Sequence, residues 1–206
     1  MSTELPAGRV TVRVASAYPA SGAVSVTIVD APAAEITLRL RIPAWAFGAA
    51  VVSETPTART SSTVEIRRAF RAGDAVQVTF PADARATHAD PRIDAARGAF
   101  AVEQGPLVLA LESTDLPPEW SVNEVTADPY SLVTDAAGVT IDVYRHNPVP
   151  REWPYYAEAV EKEGEGVRTR LIPYHQWANR GPATMRTWLP AASRRLGPAS
   201  GDEYRP

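Results

Sequence analysis

The sequence predicts an all-β protein made of two consecutive antiparallel β-sandwich domains of jelly-roll type, with no helical barrel. Three observations lead there. Apolar and polar residues alternate with period two along most of the chain, the mark of strands with one buried and one wet face. The alternating runs are rich in Val, Thr, Ile and Leu, which suit a pleated, half-buried surface. Nineteen prolines and frequent turn signals cut the chain into segments too short for a helical fold, at the roughly 10-residue spacing of sandwiches.

The elements follow in order. Arg9 to Ala15 and Ala23 to Val29 alternate on either side of Tyr18-Pro19-Ala20-Ser21-Gly22, and read as a hairpin. Glu35 to Ile42 places Ile36, Leu38, Leu40 and Ile42 on one face and Thr37, Arg39 and Arg41 on the other. Thr63 to Phe70 and Ala75 to Phe80 repeat the pattern around the turn Arg71-Ala72-Gly73-Asp74. Ala99 to Glu112 reads as two strand pieces broken by a bulge or bend at Gly105-Pro106, because proline cannot donate to a central ladder. Ser131 to Val133 and Val139 to Tyr144 flank another turn, and strands are expected at Val167 to Tyr174 and Thr184 to Leu189. Only Pro154 to Glu163 looks helical, with Gly164 and Gly166 to end it. The polar, proline-containing stretch Pro81 to Arg97 reads as a junction near Asp90, giving domains over residues 1–90 and 91–190. A single domain with a long crossover is the competing reading. Residues 191–206, rich in Ala, Ser, Gly and Pro, read as a mobile tail.

Composition removes several function classes. With 45% hydrophobic residues the chain has the apolar mass for a core. A formal net charge of -3 has the wrong sign for binding nucleic acid through the overall field. Lys162 is the one lysine among 21 basic residues, read first as coding bias. There is no cysteine, hence no disulfide, thiolate metal site or cysteine nucleophile. No run approaches the ~20 apolar residues of a membrane span. Met1 to Arg9 lacks the layout of a signal peptide, so a soluble, cytoplasmic protein is expected. Gly-x-Ser-x-Gly is absent and the 12 glycines are scattered singly, so neither a serine nucleophile elbow nor a phosphate loop is present. His88, His146 and His175 are too dispersed to signal a metal site. No cofactor is expected.

Four segments, in this order and spacing, carry a family resemblance: Leu38 to Ala46 (LRLRIPAWA), Ile66 to Phe80 (IRRAFRAGDAVQVTF), Ala89 to Glu112 (ADPRIDAARGAFAVEQGPLVLALE) and Leu171 to Pro190 (LIPYHQWANRGPATMRTWLP). Together they resemble the C-terminal β-sandwich region of glycoside hydrolase family 127, the β-L-arabinofuranosidase-like family. Gly105-Pro106-Leu107-Val108 and Trp177-Ala178-Asn179-Arg180-Gly181-Pro182 are the most specific parts. The resemblance implies an (α/α)6 barrel carrying a zinc-held cysteine nucleophile and a glutamate acid/base, followed by two sandwiches. None of those catalytic or zinc positions falls on this chain. It therefore implies a non-catalytic accessory part, partnered by a barrel domain or subunit. A freestanding carbohydrate-binding module and a dimerisation module are the alternatives, with plant-type arabinose-containing glycans as the ligands.

Candidate site residues follow. Glu103 and Glu112 lie on neighbouring strand pieces, and two carboxylates at the right separation are what glycoside hydrolysis needs. A structural carboxylate tying down backbone N–H groups at the bend is the reading preferred here, and no catalytic residue is assigned. Trp153, Tyr155 and Tyr156 lie in a polar loop where aromatic faces could stack on sugars. Packing of these rings onto the sandwich is the competing expectation. Trp177 and Trp188, on strand-like segments, are expected to fill the sandwich core or to pack on the barrel. Trp177, Asn179 and Arg180 are candidates for an interdomain or partner contact, because a planar guanidinium suits a partner's carboxylate.

Overall fold

A computed structural model describes residues 1–46, 48–54, 57–60, 62–146 and 163–192. The candidate platform Trp153, Tyr155 and Tyr156, the helix-like stretch before Glu163 and the tail beyond residue 192 lie outside the described residues. The fold is all-β, in antiparallel sheets joined by short turns of 3-10 helix. It divides into two compact units, Met1–Asp83 and Ala84–Pro206.

The first unit holds β1 (Ser2–Leu5), β2 (Gly8–Ser16), β3 (Ala23–Asp30) and β4 (Ile36–Arg41). After these come β5 (Ala50–Val52), β6 (Ala58–Arg59), β7 (Thr63–Arg68) and β8 (Ala75–Thr79). Among the described residues they form a five-stranded sheet, β1-β2-β3-β8-β5, and a three-stranded sheet, β4-β7-β6. The alternation decides which face each strand buries. Ile28 of β3, Val64 and Ile66 of β7, and Val76 and Val78 of β8 all enter one core. Ile36, Leu38 and Leu40 of β4 pack against the same core. Arg39, on the opposite face of β4, pairs with Glu65 on β7 at 2.7 Å. Each fully buried aliphatic side chain of this kind contributes about 1.5–3 kcal/mol.

The second unit opens with β9 (Ala84–His88), β10 (Ala99–Gln104), β11 (Leu107–Glu112), β12 (Val125–Ala127) and β13 (Val133–Asp135). It continues with β14 (Gly138–His146), β15 (Glu163–Pro173), β16 (Met185–Arg186) and β17 (Trp188–Pro190). Among the described residues these form one hydrogen-bonded sheet whose main path runs β12-β14-β15-β11-β10-β17. Ala191, just after β17, then bridges Ala127 in β12, so the path returns to where it began. The sheet wraps around a single core in which Phe100, Val102, Leu109, Leu111, Ile141 and Val143 are buried.

Several elements differ from expectation. Gly105-Pro106 is a tight hairpin turn and no bulge: Gln104 pairs with Leu107, and Gly105 has φ +55. A positive φ at the first central position is what the twist of a two-residue hairpin requires, and proline follows outside the ladder. The polar stretch expected to be a junction contains β9, which pairs with β10 from His88↔Phe100 to Ala84↔Gln104. The division between units accordingly falls after Asp83, ahead of Asp90. Gly164 and Gly166 lie inside β15, which starts earlier than Val167. Gly166 faces Tyr144, and a Cβ there would sit 2.8 Å from the tyrosine ring, so glycine lets the strand pass without displacing that ring.

Trp188 is not in the core. Its neighbour Leu189 pairs with Phe100 inside, so strand alternation turns Trp188 onto the outer face opposite Ala101, 38% exposed. Trp177 follows a 3-10 turn, Tyr174–Gln176, in place of a strand, and is 40% exposed.

Candidate functional site

The most heavily buried charge among the described residues sits on the outer face of the second unit. β11 alternates with Leu109 and Leu111 inward, which sends Ala110 and Glu112 outward. Both are nevertheless fully buried. Residues 174–184 loop back beside β11: the Ser113 N–H donates to the Thr184 carbonyl at 2.9 Å, and the Thr184 N–H donates to the Ser113 hydroxyl at 3.1 Å.

The Glu112 carboxylate is the anchor of that loop. It accepts from the Ala178 N–H at 2.8 Å, from the Thr114 hydroxyl at 3.0 Å and from the Arg180 guanidinium. Arg180 also grips Asp115 through both terminal nitrogens. Thr169 on β15 donates to the Asp115 carbonyl at 2.6 Å. Ala178 has φ +61, a left-handed conformation costing about 1–3 kcal/mol in a residue with a side chain. The Glu112 hydrogen bond helps to hold it there.

The electrostatics fit a structural clamp. Burial pushes the Glu112 carboxyl up, but the hydrogen bonds from Arg180, the Ala178 N–H and Thr114 outweigh it and hold the group below its ordinary value of 4.5. Arg180 is held above its ordinary range, first by Asp115 and then by Glu112. A glycosidase acid requires the reverse, a carboxyl raised so that it keeps its proton at neutral pH.

Glu103 is also engaged, by Arg85 at 2.7 Å and by the Thr87 hydroxyl at 2.8 Å, both from β9. It ties down side chains of a neighbouring strand, whereas Glu112 is the carboxylate that ties down a backbone N–H. Glu103 pairs with Val108 across the hairpin, and Glu112 lies four residues further along β11. At strand rise that is about 13 Å, beyond the roughly 5–9.5 Å that glycoside hydrolysis uses. Among the described residues no group of three or more His, Asp or Glu side chains could hold a metal ion. No described helix is long and apolar enough to cross a membrane.

Of the residues singled out from sequence, the fold brings Trp177, Asn179 and Arg180 into one loop. Arg180 is taken up by its own chain's carboxylates. The Trp177 indole N–H donates to the Ala183 carbonyl at 3.2 Å while its ring stays partly exposed. Sequence reading missed Asp115. The signal for the clamp was a lone acidic residue closing the apolar run Leu107 to Leu111, but its partner is far along the chain.

Comparison with known proteins agrees with the architecture. The family model described as "Beta-L-arabinofuranosidase, GH127 middle domain" matches residues 2–82, and "Glycoside hydrolase family 127 C-terminal domain" matches residues 84–190. A non-reducing end beta-L-arabinofuranosidase of Bifidobacterium longum subsp. longum is 28% identical over 200 residues, covering 88% of this chain and 30% of that protein. A solved glycoside hydrolase superposes with TM-score 0.76 at 27% identity, over 93% of this chain and 34% of its own. A GH127 beta-L-arabinofuranosidase from Geobacillus stearothermophilus T6 gives TM-score 0.73 at 26% identity, over 93% and 32%. The chain thus spans about a third of the length of these relatives. With adjoining models of one family matched across both units, the chain belongs to glycoside hydrolase family 127, as its middle and C-terminal β-sandwich region.

Proposed function

We propose that this chain is the non-catalytic, scaffolding part of a β-L-arabinofuranosidase-like enzyme, and that it supports a catalytic helical barrel supplied by sequence outside these 206 residues. The observation that carries this reading is the coverage: nearly all of the chain matches, yet it spans only about a third of each relative. The carboxylates of the second unit support it, because Glu103 and Glu112 are both engaged in structural pairs. The partly exposed rings of Tyr174, Trp177 and Trp188 supply apolar surface for a partner, and aromatic residues are enriched at such interfaces.

Co-expression tests it. The chain, tagged, is produced together with the remaining two thirds of a family 127 relative. We expect the two to co-purify through size exclusion, and Trp177→Ser with Trp188→Ser to weaken their association. Elution of the chain alone, monomeric by light scattering while the other part behaves as a folded, separate species, would count against the scaffold role.

A further inference from the structure

Beside the Arg180 clamp lies a pocket of about 230 Å3 lined by Arg170, Ile172, Gln176, Asn179 and Arg180. Its chemistry differs from that of the clamp. Ile172, opposite Ala110 in the β11–β15 ladder, is buried and supplies an apolar lining. The guanidinium of Arg170, next but one along β15, makes no hydrogen bond or ion pair among the described residues. The carboxamides of Gln176 and Asn179 likewise make no side-chain hydrogen bond among them. Three polar side chains with unspent hydrogen-bonding capacity therefore converge around a greasy wall.

Charge decides which ligand class fits. Arg168 pairs with Asp142, and Arg180 is shared by Glu112 and Asp115. With Arg170 added, three guanidinium groups face three carboxylates, so the local field has no net sign to attract an anion. Arg170 offers only donors, whereas each carboxamide both donates and accepts. A hydroxyl group needs both. The pocket is smaller than the ~300–1,000 Å3 of drug-sized sites, and is matched to one small ring with an apolar C–H face and a hydroxyl rim.

We infer that this pocket is a binding site for a single neutral saccharide ring, with Arg170, Gln176 and Asn179 holding hydroxyls against Ile172. It goes beyond the scaffold role and does not depend on it, since the isolated chain should bind.

The test is an amide chemical-shift titration of the 206-residue chain with L-arabinose, D-glucose, D-glucuronate and sulfate. The site predicts that a neutral sugar shifts the Ile172, Gln176 and Asn179 amides with a millimolar dissociation constant. Arg170→Met should weaken this at least about tenfold and Asn179→Ala about threefold, with unchanged melting because both side chains are exposed. Shifts absent with both neutral sugars, tighter binding of glucuronate or sulfate, or binding indifferent to Arg170→Met would each overturn the inference.

Discussion

Replacing Arg180 with methionine will destabilise the second unit by about 3 kcal/mol, at the lower end of the range for stranding one partner of a buried ion pair. The lower end applies because the Arg180 side chain is 42% exposed while that of Glu112 is 0% exposed. Water can replace part of what the guanidinium loses, but cannot reach the carboxylate it leaves behind. Only Thr114 and the Ala178 N–H then remain on Glu112. The loss should appear as a fall of roughly 10–20 °C in the melting of that unit. Adding Glu112→Gln should recover part of it by removing the stranded charge. The acid limb carries the same information. Glu112 titrates below 4.5 in the folded protein, so its contribution is complete above that pH and is lost as pH falls through the lowered folded value. In Arg180→Met the burial penalty is no longer outweighed, and acid unfolding should start at higher pH. An unchanged melt and an unchanged acid limb would mean that the loop is held by something other than this clamp.

Phe100→Ala should cost about 3–5 kcal/mol, the range for emptying a buried aromatic site. Phe100 is fully buried in the second core, paired with Leu189 and His88 on its two flanks. Trp188→Ala is the control, since it removes a larger ring from the outer face of the adjacent strand, where 38% of the residue already meets solvent. The tryptophan change should cost clearly less than the phenylalanine change. Urea denaturation of both variants, monitored by circular dichroism, gives the comparison. Equal losses would contradict the alternation that places Leu189 inside and Trp188 outside.

That alternation marks how far sequence reading reached. Strands with large apolar residues on one face were legible, as in Ile36, Leu38 and Leu40 or in Val64 and Ile66, because period two leaves only one face to bury. β9 escaped because its core-facing residues are Ala84 and Ala86, too small to mark a strand amid Pro, Asp and Arg. The start of β15 escaped because Glu163 to Gly166 carries no apolar side chain, and the strand is held there by its ladder with β14. The place of Trp188 stayed open between core and barrel, because its hydrophobicity was read without the strand phase that Leu189 sets. At the candidate site, Arg180 stood out as a turn residue suited to a carboxylate. Its partners could not be read, because Glu112 and Asp115 reach it only through β11, β15 and the folded-back loop.

The most direct test of the account is hydrolysis of a nitrophenyl β-L-arabinofuranoside by the purified 206-residue chain, with metal content determined on the same sample. The account predicts no turnover above buffer and no stoichiometric zinc, because the chain has no cysteine and both of its candidate carboxylates are committed to structural pairs. Turnover that follows the chain through repurification and disappears in Glu103→Gln or Glu112→Gln would contradict it.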